Sequence, residues 1–379
     1  MRVGLGVAKA IDPEAAATGI GVYTRELWQQ FERSTSLSVV PVAGFGRGRW
    51  NERVPSKDSI HFPCAYGPSA ALSMLTGSPF PGSRAMANRV DVYHATDYWI
   101  PRLRHTPVVA TLHDAIALSH PEWGTPSRRR AKNALLASSA HWADAVITVS
   151  AAMVPEIVEH FGVAPEKINV VHNGISGEWF TRATLEQSAS TMQRYGLAAG
   201  YILTVGTLQP RKNLGRLLTA HALLPEELRR MHPVLIVGAT GWASKAEMTM
   251  IASAVDQRHA YWLQHVPAAD LMTIYQNAAA LALPSLYEGF GLPVIEAFAS
   301  GVPVLTSNSA ALREIAADAA LFVEPLAVDD MADGLKRILE DQGLRAELVE
   351  RGSRRARAFS WKQCAEETIE VYRRVVGTG

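Results

Sequence analysis

Apolar and polar positions alternate along this chain in two long series, each reading strand, helix, strand, helix. In the first series "RVGLGVA", "DVYHA", "PVVATLHD", "DAVITVS" and "KINVVHNG" are short apolar runs that predict buried strands, the last closed by an Asn-Gly turn. Between them "GVYTRELWQQFER", "SRRRAKNALLASSAHWA" and "AAMVPEIVEHFG" predict helices. In the first of these, Val22, Leu27 and Phe31 share a face while Arg25, Glu26 and Glu32 stay in water. Ser127 is a candidate N-cap for the second, and Gly162 ends the third. The rhythm restarts at "YILTVGTL" and runs on through "NLGRLLTAHALL", "HPVLIVGAT", "ADLMTIYQNA", "AALALPS", "PVIEAFAS", "PVLTS", "ALREIA", "ALFVEP" and "VDDMADGLKRILE".

Such alternation predicts parallel sheets covered on both faces, and two series predict two doubly wound α/β domains. The pattern breaks over 174–199, around "GISGEWFTRATLEQSAS", so one domain is expected over 1–178 and a second over 179–360. A final segment, 361–379, reads as a helix through "WKQCAEETIEVYRRVV". Residues 43–90 read as a long irregular region rich in Gly, Pro and Ser, with room for helices that periodicity does not place.

Composition changes this picture little. The 379 residues are 48% apolar and 19% charged, ample for two cores and unlike a disordered chain. A net charge of +1 excludes bulk nucleic-acid binding. The two cysteines, Cys64 and Cys364, supply neither metal-ligand spacing nor a disulfide framework. The apolar run in "MRVGLGVAKAID" is too short for a signal peptide, and no stretch approaches the roughly 20 apolar residues of a membrane-spanning helix. A soluble, cytoplasmic protein is the simplest expectation.

Doubly wound sheets bind ligands at the carboxyl ends of their strands, and four strand ends carry unusual residues. In "TGIGVYTREL", Gly19 and Gly21 are expected just ahead of a helix, where bare backbone approaches an anion or simply makes a tight turn. The dinucleotide pattern G-x-G-x-x-G is met neither there nor at Gly4-Leu5-Gly6. In "TLHDAIALSHP", His113 and Asp114 stand where a strand runs out, and a histidine there either serves a ligand or is a satisfied neighbour of a capping aspartate. In "VGTLQPRKNLGRLL", Arg211 and Lys212 precede a helix, a placement the helix dipole opposes unless an anion lies between them. A diphosphate suits that pair, and a solvated charge pair is the plainer reading.

The fourth is "YEGFGLPVIEA". Glu288 is expected in a loop, Phe290, Gly291 and Leu292 offer backbone amides, and Pro293 suits the first turn of a helix. Carboxylates accept paired hydroxyls, so Glu288 and Glu296 suit sugars, although an acid near a helix start also answers the dipole.

These residues resemble the retaining glycosyltransferases of family 4, with the GT-B architecture of two doubly wound Rossmann-like domains facing across a cleft. The likeness covers nearly the whole chain and is most specific over 201–325. The family's Glu-x7-Glu element stands here as "EGFGLPVIE", and its phosphate-binding Arg/Lys pair as "GTLQPRKNL". "HDAIALSHP", "ADAVITVS" and "INVVHNG" match its N-terminal domain.

The resemblance implies an acceptor-binding domain over 1–178, a nucleotide-sugar-binding domain over 179–360, and a last helix crossing back to the first. It implies that Arg211 and Lys212 hold the donor diphosphate. Glu288 then meets donor-sugar hydroxyls, Glu296 the ribose diol, and the backbone at Phe290, Gly291 and Leu292 the sugar and phosphate. His113 stands at the reaction centre, Gly19 and Gly21 shape the loop beside it, and Val266 meets the base. No Asp-x-Asp triplet occurs, which fits a metal-independent retaining reaction with no cofactor besides the donor substrate.

"VYHATDYWIPRL" before "PVVATLHD" is similar to the bacterial mannosyl- and rhamnosyltransferase branch, implying GDP-mannose as donor and a glycan or lipid-linked glycan as acceptor in surface-polysaccharide synthesis. GDP-rhamnose, UDP-glucose and UDP-GlcNAc stay open as donors. So do a GT-B epimerase or hydrolase and a non-catalytic nucleotide-sugar-binding module. "SRRRAK" at 127–132, with the apolar stretch near 70–80, is either a peripheral contact with the cytoplasmic face of the inner membrane or a solvated helix face.

Overall fold

A computed structural model describes residues 1–46, 58–123, 129–242 and 245–377. Seven strands form one parallel sheet: β1 (Arg2–Gly6), β2 (Ser38–Phe45), β3 (Ile60–Phe62), β4 (Val92–Ala95), β5 (Val108–Leu112), β6 (Ala145–Thr148) and β7 (Ile168–Val170). Their order is β3-β2-β1-β4-β5-β6-β7. Six more form a second parallel sheet: β8 (Ile202–Val205), β9 (Val234–Val237), β10 (Ala260–Leu263), β11 (Ala280–Leu283), β12 (Val304–Ser307) and β13 (Leu321–Val323). Their order is β10-β9-β8-β11-β12-β13. Every residue of β4, β5, β6, β9, β11 and β12 is buried, which is why these strands read as mainly apolar runs, with a few buried polar positions such as His94 and Thr111 among them.

The residues divide into two compact units, Met1–Gly174 with Trp361–Gly379, and Ile175–Ser360. Within the first, the helix Trp361–Gly377 is held by Tyr372 on His94 and by Arg374 on Asn169. Within the second, the helix Val328–Glu340 buries Met331, Leu335, Ile338 and Leu339 against the sheet, at about 2 kcal/mol for each large side chain.

Three expectations change. The helix expected from Gly21 begins at Gly19, because Thr18 caps it by accepting the Gly21 amide. Gly19 and Gly21 therefore stand inside its first turn, not ahead of it. The region 43–90 is more regular than expected: among its described residues the helices Tyr66–Thr76 and Ser83–Ala87 fill the room left for helices, and it also holds β3. The break at 174–199 contains a helix, Leu185–Tyr195, opened by a capping box in which Thr184 and Gln187 satisfy each other's backbone amides. Helices Glu226–Met231, Lys245–Asp256 and Gln342–Ala356, absent from the sequence reading, also belong to the second unit. Ser127 and Arg128 lie outside the described residues, and the helix expected there runs Arg129–Ala140.

Candidate active site

The order of the second sheet explains its chemistry. From β8 the chain winds outward through β9 to β10, then returns to β11 on the other side of β8. At such a reversal the two crossovers leave in opposite directions and open a crevice at the carboxyl ends of the two strands. The loops that follow β8 and β11 carry Arg211, Lys212 and Glu288, so residues 76 positions apart meet there.

Lys212 Nζ donates to Glu288 Oε1 at 2.6 Å, and Arg211 Nη1 to Glu288 Oε2 at 2.7 Å. Ser285 Oγ adds a bond to Oε1 at 2.8 Å. Arg211 Nη1 also meets the Tyr287 carbonyl, and its Nε meets Gln209. Lys212 and Glu288 are buried. Both cations sit in a short 3-10 turn, Pro210–Lys212, followed by Asn213 in the left-handed region at φ 60°. Asn213 donates to the carbonyls of Pro284 and Pro325 and so ties this turn to the ends of β11 and β13.

Burial alone would raise the Glu288 carboxyl, but Arg211 and Lys212 outweigh it and hold the group down at about 2. Burial and Arg211 draw Lys212 below its usual range against the pull of Glu288. The anion that the two cations call for is thus supplied first by the protein itself. One carboxylate accepts from two basic side chains at once. Oε1 already accepts two bonds and Oε2 one, which leaves an acceptor position on Oε2 for a hydroxyl.

Glu296 is hydrogen-bonded outside this ion cluster, although Lys212 still acts on its charge. It lies past the first turn of the helix Leu292–Ala299, so the dipole does not account for it. Tyr275, from the helix Ala268–Gln276, donates to Oε2 at 2.7 Å. Burial raises the carboxyl to about 7, with Tyr275 and Lys212 drawing it back. Gly291 caps this helix at φ 102°, and a Cβ there would lie 2.6 Å from Leu312 Cδ2. Phe290 is buried with its ring edge-on to Phe359. Leu292 opens the helix and Pro293 follows at a position where no amide is needed. Val266 follows β10, the edge strand, on the far side of β9 from the ion cluster.

In the first unit the sheet reverses between β1 and β4, and β5 is the next strand. His113 follows β5. It is buried, and its Nε2 lies 3.0 Å from the Thr96 carbonyl. A carbonyl only accepts, so Nε2 carries the proton and Nδ1 the lone pair. Burial draws His113 below its usual range, against Thr96, Asp114 and Asp97, and the ring is neutral at pH 7. Tyr23 brings the helix of Gly19 and Gly21 against it, with ring centroids 4.8 Å apart. The Gly21 amide is spent on Thr18, and a Cβ at 21 would lie 2.2 Å from the Ala15 carbonyl oxygen. This glycine serves the close approach of the preceding loop.

Sequence reading missed Ser285, Asn213 and Tyr275 as partners. Ser285 and Asn213 adjoin strand ends already singled out, which was the available signal. Tyr275 sits on a buried helix face and gives none. Among the described residues no group of three or more His, Cys, Asp or Glu could hold a metal ion.

Two family models match the chain, "Glycosyltransferase Family 4" over residues 17–179 and "Glycosyl transferases group 1" over residues 197–355. The O-antigen chain mannosyltransferase B of Escherichia coli is 30% identical over 94% of this chain and 96% of its own length. The serotype-specific mannosyltransferase WbdA of Escherichia coli is 27% identical over 71% of this chain, which spans only 33% of that protein. Among solved structures, sucrose-phosphate synthase from Thermosynechococcus elongatus superposes with a TM-score of 0.76 at 18% identity, covering 100% of both chains, a likeness of fold. With its two Rossmann-like sheets and a relative matched nearly end to end, the chain belongs to glycosyltransferase family 4 and is a glycosyltransferase of the GT-B fold.

Proposed function

We propose that this enzyme is a retaining, metal-independent hexosyltransferase that takes mannose from GDP-mannose and adds it to a glycan or lipid-linked glycan in bacterial surface-polysaccharide synthesis. The observation that carries this reading is the meeting of Arg211, Lys212 and Glu288 at the reversal of the second sheet. The name of the relative matched over 96% of its length directs it to mannose and to a surface glycan.

In this reading Arg211 and Lys212 hold the donor diphosphate and stabilise the charge it gains on leaving. The open position on Glu288 Oε2 accepts a donor-sugar hydroxyl, Glu296 accepts the ribose diol, and backbone at Phe290, Gly291 and Leu292 meets sugar and phosphate. Val266 meets the base through its backbone. His113 offers Nδ1 to the donor sugar without adding charge, and the turn of Gly19 and Gly21 lies beside it. The acceptor oxygen forms its bond to the sugar's anomeric carbon on the face from which the carbon–phosphate oxygen bond breaks. The proton of the acceptor hydroxyl passes to the leaving diphosphate.

The test incubates the protein with GDP-mannose, GDP-rhamnose, UDP-glucose and UDP-GlcNAc, with and without a mannose-terminated acceptor and EDTA. The expected result is GDP release from GDP-mannose, accelerated by acceptor, unchanged by EDTA, and an α-linked product. A β-linked product overturns retention, and loss of activity in EDTA overturns metal independence. Nucleotide release indifferent to acceptor identifies a hydrolase, and binding without turnover a non-catalytic module.

A lipid-linked acceptor would be met at a membrane surface. Among the described residues no helix is long and apolar enough to cross a membrane. The helix Tyr66–Thr76 exposes Leu72, Met74 and Leu75 and packs beside the helix Arg129–Ala140, which exposes Arg130 and Lys132. Apolar anchors beside basic side chains suit an anionic bilayer. Sedimentation with phosphatidylglycerol vesicles is expected to exceed that with phosphatidylcholine, and to fall when residues 128–130 become alanine. Unchanged sedimentation sinks the membrane contact.

A further inference from the structure

Behind His113 the first unit carries a chain of buried polar side chains that the proposed reaction does not use. The Tyr372 hydroxyl lies 2.6 Å from His94 Nδ1. His94 Nε2 lies 2.7 Å from Thr111 Oγ1, and Thr111 Oγ1 lies 2.9 Å from the Tyr23 hydroxyl. All four residues have 0% exposure. They come from four elements: the last helix, β4, β5, and the helix that starts at Gly19.

Burial, with His113 adding to it, lowers His94 to about 3, so the ring is neutral at any working pH. A neutral imidazole has one N–H and one lone pair, which lets a single ring bridge two hydroxyls. The chain ends at Tyr23, whose ring stands edge-on to that of His113, at 84°. His113 is also bonded to the Thr96 carbonyl. A ring held by one hydrogen bond can still tilt about it, and an aromatic edge packed at a right angle removes that freedom.

Packing alone does not call for this arrangement. Phenylalanine at 23 and 372 would fill the same space without hydroxyls to satisfy, and buried hydroxyls are costly unless bonded. What the bonded chain adds is a fixed position for the Tyr23 ring. We propose that Tyr23 is a positioning residue for His113, and that Thr111, His94 and Tyr372 fix Tyr23 in turn. This rests on the reading that His113 stands beside the donor sugar.

The experiment compares Tyr23→Leu, Tyr23→Phe, Tyr372→Phe, His113→Ala and the double variant Tyr23→Leu/His113→Ala in the full chain, with GDP-mannose and acceptor. Tyr23→Leu is expected to lower kcat about tenfold, and the two phenylalanine variants about two- to threefold, with KM for the donor and affinity for GDP unchanged. On the His113→Ala background, Tyr23→Leu is expected to cost nothing further, which a merely structural role would not produce. Full kcat in Tyr23→Leu, or an equal loss on both backgrounds, overturns the proposal. If Tyr23→Leu does not fold, Tyr23→Phe takes its place in the cycle, with the same two outcomes. Wild-type kcat in His113→Ala removes the parent reading instead, so the two failures are told apart.

Discussion

Glu288→Gln is expected to lower kcat about a thousandfold while leaving GDP binding as tight as before or tighter. The split follows from what the carboxylate touches. It accepts from Lys212, Arg211 and Ser285, and on the proposed reading it competes with the donor diphosphate for the two cations. A neutral amide stops competing, so GDP keeps its hold. The same amide gives the sugar hydroxyl a weaker acceptor and leaves the cations repelling each other in the empty enzyme. Breaking a buried ion pair from one side costs about 3–5 kcal/mol, so ligand-free Glu288→Gln is also expected to unfold at lower urea.

The sign of the pH dependence is fixed by the direction of the shift. Arg211 and Lys212 overcome burial and hold Glu288 at about 2, below its value of 4.5 in an unfolded chain. A depressed carboxyl stabilises the fold above the unfolded pKa and loses that contribution as pH falls through the folded one, here about 3 kcal/mol between pH 4.5 and 2. The stability gap between wild type and Glu288→Gln should therefore be full at pH 7 and close on acidification below about 4.5, as urea unfolding at several pH values will measure. Unchanged kcat in the variant would remove Glu288 from the site.

Much of this site was legible in the sequence because doubly wound sheets place function at strand ends. Once "VGTLQPRKNL" and "ALPSLYEGFG" read as strand-then-loop, the parallel topology had only to put β8 beside β11 for Lys212 to reach Glu288. The placement of the two cations against a helix dipole called for an anion, read from the sequence as a diphosphate, and the structure sets the Glu288 carboxylate against them. Periodicity could not say that the anion was a glutamate 76 residues away, because pairing across a sheet leaves no local trace. The same limit hid the Tyr372–His94–Thr111–Tyr23 chain, whose ends come from opposite ends of the sequence. Local chemistry explains the remaining differences. Thr18 drew the helix start back to Gly19, and a capping box at Thr184 built a helix where the apolar rhythm had lapsed.

Glu296→Gln is expected to do two opposite things: stabilise the ligand-free protein at pH 8 and weaken GDP binding more than tenfold there. Burial raises this carboxyl to about 7 from 4.5, with Tyr275 and Lys212 only partly offsetting it. An acid whose folded pKa is raised binds its proton more tightly when folded. Its contribution is therefore favourable below pH 4.5 and is lost as pH rises through 7, on the order of 2 kcal/mol once partial exposure is allowed for. Glutamine keeps an oxygen for the Tyr275 hydroxyl and has no charge to bury. Ribose hydroxyls, however, are donors, and two of them favour the ionised carboxylate. Binding must then expel the proton held below pH 7, so wild-type affinity for GDP should rise up to tenfold per unit between pH 5 and 7 and level off above. In Glu296→Gln that slope should vanish. Calorimetry in two buffers of different ionisation enthalpy reads the released proton directly at pH 6. A flat affinity profile in the wild type, with no proton release, would mean that Glu296 meets no hydroxyl pair of the nucleotide.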